Sequence, residues 1–481
     1  MRNNWEKIFL MSPFFFFLSQ KNVTLYHRIL RLAINLQHSK KMKLTTKNHF
    51  SWCLATMLAC SAPAAMASQF TSANDASFTT SMYAAAANDS TFHAPAGKEV
   101  FIPKDLRSND FSSPDSKWSY ARCAYTDDII IFWEKPFGND LSKAPDLEGH
   151  NMKIDLKNLI TRIQSFYDYF KNDLKFIKPG SNADRYRMMV MLNYSLEGTA
   201  YGGDYDGVIG ALWISPNRVQ DKKLNCIAHE LGHSFQSMIS CDKQGESWGG
   251  GGIFEMTSQW MLFNVNPEWP TDENFHWRAF IDNANLRFLA GENIYHSPYM
   301  LEYWSMKHGL TVIGDLFRAG KRGEDPASTY TKMFNLTNCD FAKEAVDCYS
   351  RLLTFDFPGK HEANKKYSGE FVNNKDLETF GANVIKLDAK GKKAIKLQFC
   401  GDKADGYAYR IVTVNADKKA TYSDICTKAN GKLKMNLPAD AKDVYLVVTG
   451  YPLGEYKPYT FNPYSGGQPE APHVYKYTFK Y

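Results

Sequence analysis

His229, Glu230 and His233 stand together in the hexapeptide Ala-His-Glu-Leu-Gly-His at residues 228–233. Residues i and i+4 share one face of a helix. The two imidazoles can therefore meet at one metal ion while Glu230, one step round, reaches a water bound to it. Such a set supports hydrolysis: the metal lowers the pKa of its water to about 7, and the carboxylate takes the proton as the water attacks a carbonyl. A His-Glu-x-x-His string alone arises by chance in a chain of this length with a probability on the order of one per cent, so the residues that follow it carry the decision.

A hydrolytic zinc site needs three protein ligands and one open position. The metzincin pattern would place Gly at 236 and a third His at 239, where this chain has Gln236 and Ile239. The other source is a Glu on a second helix. Glu255 follows His233 with 21 residues between them and comes just after four glycines, Gly249 to Gly252, that allow a tight turn into a helix. Motif and spacing resemble the gluzincins, the thermolysin-like class of zinc metallopeptidases, and the chain is similar to uncharacterised exported bacterial proteins of that kind.

The resemblance implies Zn2+ held by His229, His233 and Glu255, with Glu230 as general base. It also implies a donor to the developing oxyanion from the downstream helical lobe, for which Tyr295, His296 and Tyr299 are the candidates. Ser258 matches the class, whereas Gln259 stands where the class has an Asp that accepts from the first ligand His. A Gln carbonyl can still accept, but without the charge that raises ligand basicity. Residues 207–214, a run of β formers, are either the edge strand above the metal helix along which a peptide pairs, or a plain buried strand.

The elements that must position these residues start well into the chain. Residues 1–41 read as an over-extended start. Residues 42–67 read as a signal peptide, with Met42-Lys-Leu-Thr-Thr-Lys as its basic end and Ala65-Met-Ala67 as its cleavage site. The competing reading is a lipoprotein signal with Cys60 lipidated. Export to the periplasm, cell surface or exterior follows. Without residues 1–67 the chain holds 48 basic and 50 acidic side chains, which removes the basic balance that would suit nucleic acid. No apolar run long enough to span a membrane remains. Seven cysteines are left, an odd number, and Cys400 with Cys426 is the pairing to test.

Residues 68–95 read as a flexible leader and 96–358 as the metallopeptidase domain. Strands are expected at 128–133 and 188–192, and an amphipathic helix between them carries Leu156, Leu159, Ile160, Ile163, Phe166, Tyr167 and Phe170 on one face. Helical periodicity covers 276–290, 298–308, 311–319 and 340–354. After Pro358 come short alternating runs at 383–388, 394–400, 406–414, 431–436 and 443–449, with Asn430-Gly431 read as a type I′ hairpin turn. The expected fold is α+β: a thermolysin-like two-lobe metallopeptidase domain followed by an all-β sandwich over 359–481.

The function these readings converge on is an exported zinc metallopeptidase acting on a protein or glycoprotein substrate. Two alternatives stand beside it: an enhancin-like peptidase of mucins and glycoproteins, and a non-catalytic surface binding protein whose metal site is structural. Glu230 separates the last from the others, because a structural site has no use for a general base.

Overall fold

The computed structural model describes residues 91–198, 200–462 and 468–481. The expected start, signal peptide and most of the leader, up to residue 90, lie outside the described residues. The described residues belong to one of two compact units, Phe78–Tyr481. They form an α+β structure with eleven α-helices and three sheets among them.

The first sheet holds β1 (Cys123–Tyr125), β2 (Ile129–Trp133), β3 (Met188–Leu192), β4 (Ala200–Tyr205) and β5 (Ile209–Ile214) in the order β1-β2-β3-β5-β4. β2, β3 and β5 run parallel, while β1 and β4 are antiparallel edge strands. The run at 207–214 is thus β5, an interior strand. Of the two readings of this run the buried strand is the one found; the edge reading is corrected, and the edge is β4. β2 and β3 are buried at every position, which is why they read as unbroken apolar runs.

Helix α1 (Leu156–Asn172) precedes a single turn, α2 (Asn182–Arg185). The apolar stripe of α1 packs on α3 (Asn225–Cys241), the helix bearing the His-Glu-x-x-His motif. The rings of Tyr167 and Phe170 lie 5.0 and 5.4 Å from that of Phe235. Next come α4 (Gly252–Val265), α5 (Trp269–Asp272), α6 (Asn274–Asn283), α7 (Tyr299–His308), α8 (Val312–Ala319), α9 (Pro326–Met333), α10 (Asn338–Leu352) and α11 (His361–Asn364). The helix expected over 276–290 ends at Asn283 and gives way to turns. α9, which the periodicity missed, begins in a capping box between Asp325 and Ser328.

Two further sheets follow. β6 (Ala382–Leu387), β11 (Ala441–Tyr451), β8 (Gly406–Asn415) and β9 (Ala420–Tyr422) form one, and β10 (Asn430–Asn436), β7 (Ala394–Gly401) and β12 (Tyr477–Lys480) form the other. Alternation along β11 divides its side chains between two cores. Val444, Leu446 and Val448 face the three-stranded sheet in one cluster, whereas Tyr445 and Val447 join the large core of the helical region. Arg410 of β8 reinforces that second contact through a 2.5 Å ion pair with Asp347 of α10.

Two smaller expectations are corrected here. Asn430-Gly431 is not a hairpin turn, since both residues pair within β10. A Cβ at Gly431 would fall 2.2 Å from the Tyr409 hydroxyl, so glycine serves a close approach inside the strand. Cys400 and Cys426 are both free: Cys400 sits on the exposed face of β7, while Cys426 packs partly buried against the inner cluster.

Candidate metal centre

Two backbone features bring the candidate ligands together. Gly249, Gly250 and Gly251 all have φ between +75° and +116°, a conformation that favours glycine, and the turn they make starts α4 at Gly252. Glu255 consequently falls in the first helical turn of α4. Across from it, Gly232 of α3 lets the helices cross closely, because a Cβ there would stand 2.8 Å from Ser258 Oγ. His229 and His233 then present Nε2 atoms 3.2 Å apart, and Glu255 Oε2 lies 3.1 Å from each.

The three donor atoms lie within 4.8 Å of one another. Donors bonded to one tetrahedral zinc at ~2.0–2.1 Å stand about 3.3 Å apart, so the separations of 3.1, 3.1 and 3.2 Å fit that ion. Two neutral imidazoles and a carboxylate are also the nitrogen and oxygen chemistry zinc takes. This fit is a property of the chain's own geometry.

Each imidazole is held from behind. Gln259 Oε1 lies 3.3 Å from His229 Nδ1, and Gln259 Nε2 donates to the Tyr295 carbonyl at 2.8 Å. Fixed in this way, the amide offers its oxygen to the histidine. Gln236 Oε1 and Ser258 Oγ are each 3.1 Å from His233 Nδ1, and Gln236 Nε2 donates to the Phe254 carbonyl, which ties α3 to α4. Gln236, where a metzincin has glycine, is thus a support for His233.

Glu230 stays outside the donor set. Its Oε2 accepts from the Gly202 N–H of β4 at 2.8 Å. Gly202 is required there: a Cβ would lie 1.6 Å from the Glu230 carbonyl oxygen and 2.9 Å from His233 Cβ. Burial raises the Glu230 carboxyl above its usual range, the two imidazoles draw it down, Glu255 pushes it up again, and the net direction is upward. With no metal ion, burial would lower His233, but Glu255 beside it holds the imidazole at about 9. Glu255 itself is raised by burial and pulled well below the ordinary carboxylate range by His233 and His229.

The three candidate oxyanion donors separate. Tyr295 is 37 % exposed and stacks on His229 with 6.3 Å between centroids. His296 lies one step behind, with its Nδ1 2.6 Å from Nδ1 of His276; burial and that neighbour lower its pKa to about 3. Tyr299 is not brought to the triad. It is fully buried among Phe263, Trp277, Phe280 and Phe355, and its hydroxyl has no hydrogen-bond partner.

Sequence reasoning missed His276, Glu273 and Gly202. His276 Nε2 lies 3.4 Å from both Gln259 Nε2 and Glu273 Oε2. Neither residue belongs to a motif. Gly202, in Tyr201-Gly-Gly-Asp204, carried a signal only as a glycine pair beside a β-rich run.

The chain belongs to the family described as "Family of unknown function (DUF6055)", whose model matches residues 91–480. No curated protein matches. Among solved structures the chain is similar to the crystal structure of a functionally unknown conserved protein mutant from Bacillus anthracis str. Ames. The identity is 11%, the TM-score 0.30, and the match covers 55% of this chain and 53% of that one. The chain therefore spans about half the length of that solved relative.

Proposed function

We propose that this protein is a zinc metallopeptidase of the gluzincin type, exported, with a two-lobe catalytic region over 96–358 and a β-sandwich after it. The observation that carries the reading is one carboxylate too many. Three donors 3.1–3.2 Å apart suffice to hold a metal, and Glu230 is a fourth polar group, kept next to them yet bonded to a backbone N–H. When bound, zinc supplies a polarised water and a Lewis acid for the scissile carbonyl.

The chain's own residues do the rest. Glu230 accepts the proton of the attacking water and returns it to the leaving nitrogen, and a raised carboxyl pKa suits both halves of that task. Gly202 N–H fixes which Glu230 oxygen is free. Gln259 orients His229, and Ser258 with Gln236 orients His233. β4 offers an open sheet edge beside α3 on which an extended peptide adds as a further strand. Tyr295, exposed against His229, is the donor to the oxyanion.

The test separates ligand from base. Glu255→Ala should lower zinc content and peptide cleavage together, whereas Glu230→Gln should keep zinc near the wild-type stoichiometry and lose about 10²- to 10⁴-fold in rate. Full cleavage by Glu230→Gln rejects the mechanism. Tight zinc with no cleavage across a proteome-derived peptide library favours the non-catalytic alternative.

A further inference from the structure

Positive charge is concentrated at the C-terminal end. Residues 382–481 hold sixteen Lys and Arg against nine Asp and Glu. Part of this excess lies on one face. Ile395, Leu397 and Phe399 of β7 and Met435 of β10 turn inward, so the alternate positions of the three-stranded sheet point to solvent. Those outward positions include Lys396, Lys432, Lys434 and Lys480, all exposed. The others are Ala, Gln, Cys, Asn and Thr, with no acidic residue and no aromatic ring.

The register sharpens the observation. Lys434 pairs directly with Lys396, and Lys432 and Lys480 flank Gln398 from either side. Like charges directly opposite on one sheet face are destabilising, and none of the four lysines makes an ion pair among the described residues. Lysines on β10 and β12 are explained by protection of exposed edges. Lys396 is not, because β7 is the central strand. The same row continues past Asn436 to Leu437, which donates its N–H to the Lys393 carbonyl. There the face opens into a cleft of about 990 Å³ whose walls carry Lys390, Lys392, Lys393 and Lys442 against two carboxylates, Asp388 and Asp443, the second of them paired with Lys386.

We propose that this lysine face and the cleft at its end form a binding surface for an anionic polysaccharide, one bearing sulfate or carboxylate groups along a linear chain. Neighbouring strands lie about 4.8 Å apart and alternate residues about 6.6–6.8 Å apart along a strand, so the ammonium groups form a ladder for closely spaced anions. Single-stranded nucleic acid is disfavoured because the outward positions of the three strands carry no aromatic side chain, and the one exposed ring beside them, Tyr481, is already covered by Lys392. A bilayer is disfavoured because the face has no large apolar side chain to insert. The proposal does not depend on peptidase activity.

Calorimetry of the purified protein with a heparin-derived oligosaccharide, at several salt concentrations, tests it. Affinity should fall as salt rises. The triple variant K396Q/K432Q/K434Q should lose at least tenfold in affinity and flatten the salt dependence. A control of equal charge change on exposed lysines elsewhere, K104Q/K153Q/K222Q, should lose less than twofold. K434E guards against misfolding, because it replaces a like-charge pair by an opposite one: its Tm should equal or exceed that of the wild type while affinity falls. Absence of oligosaccharide binding at 0.1 M salt, or equal losses in the two triple variants, overturns the proposal. So does tighter binding to phosphatidylglycerol vesicles or single-stranded DNA than to the oligosaccharide.

Discussion

Gly202→Ala is the most direct probe of how β4 and α3 cooperate. The added Cβ would begin 1.6 Å from the Glu230 carbonyl oxygen, and an ordinary contact begins at 3.4 Å, so strand and helix must separate by about 1.8 Å, the difference between those figures. The Gly202 N–H to Glu230 Oε2 bond, 2.8 Å long, does not survive a displacement of that size. Overpacking of this kind costs about 1–3 kcal/mol, which should appear as a Tm lowered by several degrees in differential scanning fluorimetry. Misplacing a proton acceptor by an ångström or more costs on the order of 10²-fold in rate. The packing of α3 on α4 at Gly232 and Ser258 does not involve Gly202, but the added Cβ would also stand 2.9 Å from His233 Cβ, so zinc content measured by atomic absorption should fall, though less than the rate does. A Gly202→Ala protein with unchanged Tm and unchanged cleavage would refute the contact between β4 and the metal helix.

Two more predictions follow from buried polar groups. Burial pushes the Asp204 carboxyl up to about 6 from 3.8, against the opposing hydrogen bond from Gly207 N–H, so the native state binds this proton more tightly than the unfolded chain. Stability should therefore be unaffected below about pH 4 and fall as pH rises through 6, with a ceiling of about 3 kcal/mol at about 1.4 kcal/mol per pKa unit. Asp204→Asn should raise Tm at pH 7.5 and not at pH 4, and an equal shift at both values would sink this account. Tyr299→Phe removes a buried hydroxyl that has no partner, and should leave cleavage unchanged and stability equal or higher by about 1 kcal/mol. A hundredfold loss of rate in that variant would return Tyr299 to the reaction.

The helix over Asn225–Cys241 and the candidate triad it carries were legible because their chemistry is written in fixed spacings. His229 and His233 are one helical turn apart by covalent geometry, and Glu255 comes within 3.1 Å of both as expected. β3 appears at 188–192 as read, and all five C-terminal runs are strands within two residues of their expected ends. β4 was illegible: Ala-Tyr-Gly-Gly-Asp-Tyr has no apolar alternation, and it is a strand because β5 supplies hydrogen bonds and α3 leaves room only for glycine. Gly431 misled for a related reason. Local turn chemistry favours a bend at Asn-Gly, but the hydroxyl beside Gly431 belongs to Tyr409, 22 residues earlier on another strand. Nothing in the spacing placed His276 behind Gln259 or Tyr299 away from the triad, because which of two buried side chains faces a site is decided by packing between helices distant in sequence.

The four-stranded sheet also bears on what can be inherited or expressed as a unit. One of its faces closes the core built on α10, and its other face closes the core of the three-stranded sheet. A chain cut after Pro358 would leave Phe341, Ala345 and Val346 of α10, all buried in the whole protein, open to water. Such a fragment should aggregate, and the C-terminal hundred residues alone would carry a bare apolar face of their own. Recombination that exchanges the β region for another module is penalised in the same way. The family's model matches residues 91–480, a span that takes in both the helical region and these sheets.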